Sequence, residues 1–419
     1  VRGINIFNLF NFPLGRKGQL LAQELPIFTE NQPYYNQLPQ INRYMESLSY
    51  IATLGERVCE TGLYYPVCNF QSGLNSGAVS KEFDTLGREL EDMLIDFDIV
   101  DDDVIWSADG LNEGVLRMGN AEYKNIVVPE NAYIPPETQD TLKRFVEHGG
   151  MVLNSPESLK PVLRVEGEGL RVMHRKADAE NLYLFFRETG KAGEYTIHLP
   201  SSKGYILSLE NGCLQRLEAE NGVLKLSLAV GQSVAVLLTD EDIESEEKFE
   251  FNNKIIITNE LLFRKELELT CDEKGFKNIK HSEKLTPIQL GNWSKHVGSG
   301  FSGSCVYETE FKLASEIVGK QGEIDLGDVQ FTAAVILNNQ SLGTAIMPPY
   351  TLKIPEGLLS ESNILKIIVT NTPANWYTHT DYFDKWKTEE MSPYFEVEKE
   401  YAKDSNSGGL YGPVAIYTR

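Results

Sequence analysis

Residues 333–343 read Ala333-Ala-Val-Ile-Leu-Asn-Asn-Gln-Ser-Leu-Gly343. A small and β-branched run stops at two asparagines and resumes at Ser341. Asparagine tolerates the left-handed backbone of a tight hairpin turn, so the stretch predicts strand, turn, strand. The same pattern continues on both sides. Tyr307-Glu-Thr-Glu-Phe-Lys-Leu313, Gly322-Glu-Ile-Asp-Leu-Gly327 and Ile364-Leu-Lys-Ile-Ile-Val369 are short strand-like runs parted by turn residues. Regular short strands joined by turns predict a jelly-roll sandwich over residues 250–419.

Upstream, residues 159–240 predict a second, smaller antiparallel β-sandwich. Its strand-like runs are Leu182-Tyr-Leu-Phe-Phe186, Tyr195-Thr-Ile-His-Leu199, Leu224-Lys-Leu-Ser-Leu228 and Ser233-Val-Ala-Val-Leu-Leu238. Asn211-Gly212 and Asn221-Gly222 are hairpin signals. The acidic run Asp240–Glu247 lacks aromatics and predicts a solvated linker.

Residues 58–158 alternate strands with helices, which predicts a parallel, flavodoxin-like α/β layer. Strands are expected at 62–67, 96–100, 125–129 and 151–153. Ser80 is expected to cap one helix, with Phe83, Leu86, Leu90, Met93 and Leu94 inward. Pro135 and Pro136 open a second helix, with Leu142, Phe145 and Val146 inward and Gly149-Gly150 at its close. The loop Cys68–Gly77 has neither G-x-G-x-x-G nor G-x-x-x-x-G-K-[ST], so no phosphate cradle is indicated. The third strand runs into Pro129-Glu-Asn-Ala132 without a nucleophilic cysteine, and Cys68 reads as a small hydrophobe. The layer is expected to be structural, with a flavin or nucleotide protein the least favoured alternative.

Residues 1–57 supply an apolar run at 3–12, a turn-rich loop Pro13–Gly18 and a helix. Leu38, Ile41, Tyr44, Met45, Leu48 and Ile51 recur at three- and four-residue steps, and Gly55 is the expected stop. A buried strand, a loop and a helix match the terminal βα unit of a (β/α)₈ barrel, which needs about 250 residues. The expectation is that the rest of the barrel lies in polypeptide ahead of Val1. On that basis Asn8, Asn11, Arg16 and Lys17 are candidate sugar contacts at a strand's carboxyl end. A polar surface connection accounts for them equally well.

A formal net charge of -22 repels phosphate backbones and anionic lipid, so neither nucleic acid nor a membrane is an expected partner. Five cysteines without C-x-x-C spacing predict free thiols in a reducing, cytoplasmic compartment. No apolar run approaches the roughly 18 residues of a bilayer span. Six histidines never fall at metal-ligand spacing, and no metal or cofactor is expected. Sugar recognition needs aromatic faces beside amides and carboxylates. Residues 371–386 concentrate these groups in Asn371, Asn375, Trp376, Tyr377, His379, Asp381, Tyr382 and Trp386. The competing reading is that Trp376 and Trp386 anchor a long loop. Trp293 is expected in the core, and Trp106 as a half-buried surface ring.

Leu326-Gly-Asp-Val329, Ala334-Val-Ile-Leu-Asn-Asn339, Leu342-Gly343, Pro348-Pro-Tyr350 and Asn363-Ile-Leu-Lys-Ile-Ile-Val-Thr-Asn371 form an ordered series. The series resembles the galactose-binding-like, sugar-binding domain of glycoside hydrolase family 2, and Gly409-Leu-Tyr-Gly-Pro-Val414 resembles its last strand. Segments 43–66 and 96–103 extend the resemblance to family 106, the α-L-rhamnosidases. The resemblance implies the C-terminal accessory region of a multidomain enzyme that hydrolyses O-glycosyl bonds in glycans, α-L-rhamnosides among them. It also implies a carbohydrate ligand, and acid and base carboxylates on a barrel outside this chain. No catalytic residue is carried over. Glu24 and Glu30 stand too far beyond the barrel-like strand to be favoured. The alternative is a non-catalytic carbohydrate-binding protein.

Overall fold

The computed structural model describes residues 4–7, 35–108, 110–190, 193–209, 212–246, 250–272, 275–379 and 408–419. The chain is mostly β-sheet, with several sheets and few helices. It divides into two compact units, one built mainly on residues 46–248 and the other on 249–419.

In the first unit, four strands form a wholly parallel sheet in the order Asp98–Val100, Thr61–Tyr64, Asn125–Val127, Met151–Leu153. Neighbouring residues of a strand point to opposite faces, so a sheet covered on both sides needs apolar residues at every position. Tyr64, Val100 and Ile126 pack with Phe145 on one face. Leu63 and Val127 pack with Leu86 and Leu90 on the other. The two covering helices are Ser76–Asp92 and Pro136–Glu147.

Two details of the expected layer are corrected. Asn75, in a left-handed conformation, precedes the first helix, so Ser80 lies inside it rather than capping it. Val146 is exposed, because the helix buries the face that carries Thr138, Thr141, Leu142 and Phe145. Between the second and third parallel strands the sequence reading found no element. The structure has a three-stranded antiparallel sheet there, Gly110–Asn112, Val115–Met118 and Ala121–Tyr123. Its turn Glu113-Gly114 has both residues at positive φ, the two-residue hairpin form.

The remaining strands of this unit form two sheets. One orders Glu56–Arg57, Leu170–Ala177, Glu180–Arg187, Ser233–Leu238, Tyr205–Leu207 and Leu214–Arg216. The other orders Ala219–Glu220, Val223–Ser227, Glu194–His198 and Arg164–Glu166. Tyr183, Phe185, Tyr195, Ile197 and Val236 belong to one buried cluster. Glu56 and Arg57 were expected to close the barrel-like unit. They instead pair with Lys176 and Arg175 as an edge strand. Gly55 permits this entry: its φ is +55°, and a Cβ there would lie 2.2 Å from the Lys176 carbonyl oxygen. The acidic run is less free than a solvated linker. The Ile243 amide donates to the Tyr205 hydroxyl at 2.7 Å, and the Glu246 amide to the Leu214 carbonyl at 2.8 Å.

The helix Leu38–Ile51 forms where its periodicity predicts. The apolar run at 3–12 is different. Its described part, residues 4–7, has no strand, and Ile6 is 82% exposed. An apolar run becomes a buried strand only where a sheet offers it partners, and none pairs with residues 4–7 among the described residues.

In the second unit the longest sheet orders Gly275–Lys280, Leu261–Asp272, Gly303–Lys312, Ser362–Thr370, Thr332–Leu337 and Gln340–Ala345. Thr286–Ile288 pairs with the start of the second of these. A four-stranded sheet orders Asn253–Ile256, Ala415–Thr418, Gly322–Asp325 and Thr351–Ile354, and a three-stranded one orders Gly291–Asn292, Gly409–Gly412 and Asp328–Gln330. Tyr307, Val335, Ile367, Ile324 and Ile416 share a single buried cluster with Trp293. Asn338 and Asn339, at φ 50° and 67°, make the tight turn between the strands ending at Leu337 and starting at Gln340. Among the described residues no helix is long and apolar enough to cross a membrane.

Candidate functional site

The segment that the sequence offers as a sugar contact begins where the long strand ends at Thr370. Asn371 is buried, and both ends of its amide bond backbone. Its Oδ1 accepts from the Gly303 amide at 2.8 Å, and its Nδ2 donates to the Phe301 carbonyl at 3.0 Å. Asn375 donates to the same carbonyl at 3.3 Å, and the Trp376 amide donates to Ser302 Oγ at 2.9 Å. These bonds hold the short helix Ala374–His379 on the 301–303 strand entry. Trp376 is half-buried and His379 is exposed. Tyr377 lies in the same helix, and its side chain is outside the described residues, as are Asn8, Arg16, Asp381, Tyr382 and Trp386. Asn11, Lys17, Glu24 and Glu30 are outside them too. The amides read as sugar ligands therefore pin backbone. Trp293 is buried at 1% exposure, with its ring edge-on to Phe301 at 5.6 Å. Trp106 is half-exposed and donates from Nε1 to Thr138 Oγ1 at 2.9 Å.

A second arrangement in the same unit was not visible in the sequence. Leu261, Leu262 and Phe263 pair with Ile288, Pro287 and Thr286, which brings Asn259 and Glu260 beside Gln289 and Leu290. Thr309 Oγ1 fixes this corner by donating to the Glu260 carbonyl at 2.8 Å. The result is an open groove of about 770 Å³. Buried Ile257, Leu261 and Ile288 form its base, while exposed Thr258, Asn259, Glu260, Gln289 and His296 stand around it. The groove offers hydroxyl, amide, carboxylate and imidazole groups over aliphatic surface. That mixture suits a polyhydroxylated ligand. Its lining carries one carboxylate, whereas glycoside hydrolysis uses two across the scissile bond. Residues some thirty positions apart converge here through strand pairing, so no local motif announces them.

In the first unit two arginines are committed to neighbouring carboxylates. Arg57 Nε donates to Asp96 at 3.0 Å and its Nη2 to the Phe97 carbonyl at 3.0 Å, with further ion pairs to Asp96 and Asp98. Burial alone would lower the Arg57 pKa, but the Asp96 hydrogen bond and charge hold it above its usual value. Burial dominates at Asp96 and raises its carboxyl pKa despite the arginine. Burial, with help from Asp98 and Asp96, pushes the nearby Cys59 thiol up to about 12, far from a nucleophilic thiolate. Arg171 joins Glu188 at 2.8 Å and Asp92 at 2.7 Å. Such networks perturb pKa values without being catalytic. No group of three histidine, cysteine or acidic side chains among the described residues is placed to hold a metal.

No family model matches the chain. Over 92 residues, 21% of its length, it is 32% identical to a putative beta-glucuronidase of Formosa agariphila, of which the match covers 8%. A rhamnosidase from Novosphingobium sp. PP1Y aligns in structure over 94% of this chain with a TM-score of 0.59 at 15% identity. The fold is glycoside hydrolase-like. The chain spans 42% of the rhamnosidase's length. At 15% identity the likeness is one of fold.

Proposed function

We propose that the chain is an accessory region of a glycoside hydrolase that cleaves O-glycosyl bonds in glycans, with α-L-rhamnosides the first substrate class to test. The single observation that supports it most is the likeness in fold to a rhamnosidase over 94% of the chain. On this reading residues 250–419 are a galactose-binding-like jelly roll, residues 58–158 a structural layer and residues 1–57 part of a catalytic barrel. The acid and base carboxylates belong to polypeptide outside this chain. Two observations fit: the large groove has a single carboxylate, and Asp96 and Asp98 are tied to Arg57. On this reading the location is a reducing, cytoplasmic one, in keeping with five cysteines that lack C-x-x-C spacing.

The test compares the 419-residue chain with a version extended at its amino end, using aryl α-L-rhamnosides and aryl β-glucuronides. Turnover is expected only from the extended protein. Turnover by the chain alone overturns the accessory role, and inactivity of both on a broad aryl-glycoside panel overturns the hydrolase reading. The mixed groove favours a second reading, a non-catalytic carbohydrate-binding protein. Under it, calorimetry detects monosaccharide binding that Glu260→Ala weakens at least tenfold, with Trp376→Ala testing the helix Ala374–His379 separately.

A further inference from the structure

The α/β layer and the small sandwich share the first unit, yet their cores are separate. The sandwich cluster is built on Tyr183, Phe185 and Val236, and the layer's clusters on Tyr64 with Phe145 and on Leu63 with Leu90. Among the described apolar residues of 58–158, only Leu94 packs against the sandwich cluster. Two clefts, of about 300 Å³ and 610 Å³, open along the junction. Both are lined from the two sides: Arg171 and Val172 with Leu94 and Phe97 in the smaller, Val162 and His174 with Ile95 and Met151 in the larger. Atoms on a cleft wall lack the close-packed neighbours that a continuous core supplies.

Polar ties cross the junction instead. Arg171, on the strand Leu170–Ala177, joins Asp92 at 2.7 Å, and Arg57 Nε donates to Asp96 at 3.0 Å. The Val162 amide donates to the Leu94 carbonyl at 2.9 Å. Leu94 itself has a φ of 57°, just past the helix Ser76–Asp92, and the Ile95 amide closes the helix end on the Leu90 carbonyl at 2.9 Å. Glycine ordinarily takes this left-handed position, because a side chain there is strained. A leucine places a side chain on the sandwich core, which glycine could not.

We propose that this junction is a latch, with Leu94 as its peg and Arg57 and Arg171 as its pins, from which the α/β layer undocks as a folded body. The proposal goes beyond the glycan-directed reading and does not depend on it. Polar junctions within a chain permit such relative motion where a large apolar one would not.

Two probes on the whole chain test it. Hydrogen exchange reads the Val162 amide, and iodoacetamide labelling reads the Cys59 thiol, half-buried beside Arg57. Neither group is bonded to Arg171. In Arg171→Gln both rates are expected to rise at least tenfold together, while the amides of Ile126 and Phe185, inside the two main sheets, keep their rates. Leu94→Gly relaxes the backbone but removes the peg, so both rates rise there too. A residue that merely ended the helix would show the reverse, slower exchange with glycine. Arg117→Gln, which breaks an exposed pair with Glu122, is the control and changes neither rate. The unmodified chain supplies the same test if a variant fails to fold. Raising NaCl from about 20 to about 300 mM screens the Arg171–Asp92 pair, whose carboxylate is 67% exposed, and both rates rise together. The latch is overturned if only one probe responds, if Leu94→Gly slows both, if the sheet amides accelerate equally, or if salt leaves both rates flat.

Discussion

Asn363 is the residue on which the closing turn of the second unit depends. It is 1% exposed; its Nδ2 donates to the Ser360 carbonyl at 2.6 Å, and its Oδ1 accepts from the Ser360 amide and from Asn338 Nδ2, each at 2.9 Å. Asn338 in turn accepts from the Ile364 amide at 2.9 Å. Removing the amide leaves several inward polar groups unmatched, at about 1–3 kcal/mol each. Asn363→Ala should lose about 2–4 kcal/mol in urea unfolding, with Asn363→Asp in between; an unchanged midpoint would refute the account. Titratable groups make a second prediction. Burial raises the pKa of Cys59 and of Tyr350, each to about 12, and raises those of Tyr64, Tyr123 and Tyr307 as well. The unfolded chain then releases protons near pH 9–10 that the folded chain keeps. Stability is fully present below about pH 9 and declines as pH rises toward 12. Urea midpoints at pH 8 and pH 10.5 check this, with the lower one expected at pH 10.5.

Element-scale reading worked where a pattern is long. The helix Leu38–Ile51, the parallel strands and the Asn338-Asn339 hairpin follow from periodicity and turn chemistry. It failed for Glu56–Arg57 and for the hairpin strands between 110 and 123, which carry no continuous apolar run to mark them. Glu56–Arg57 is the clearest case. Its Arg57 side chain ties it to the parallel layer, reaching Asp96 and Asp98 at the start of a parallel strand. Asp96 is 7% exposed at its side chain, so removing the guanidinium strands a carboxyl in a poor solvent. Arg57→Ala should therefore cost about 3–5 kcal/mol. Thermal unfolding measures the cost. A loss under 1 kcal/mol would mean that the edge strand stands without this tie. The small hairpin sheet at 110–123 was missed for the same reason, although Glu113-Gly114 carried a usable turn signal.

At the scale of the whole molecule, the acidic excess is the property that composition states most directly. A formal charge of -22 favours expansion through self-repulsion, and added salt screens it over about 10 Å at 0.1 M. Raising NaCl from 20 to 300 mM should raise the unfolding midpoint. A fall would show that attractive networks such as Arg171 with Glu188 and Asp92 outweigh the repulsion.

Sequence alone determined that this is a chain of β layers with one α/β layer, because strand alternation, helix periodicity and asparagine turns are local properties. It also carried the likeness to glycoside hydrolases in an ordered series of strands. The candidate sites were another matter. The sequence pointed to Asn371 and Asn375 as ligands for sugar, and the fold turned both amides onto backbone. The groove at Asn259 and Gln289 arises from strand pairing between distant segments. Whether a polar side chain faces a ligand or its own backbone depends on which neighbours reach it, and only the tertiary structure decides that.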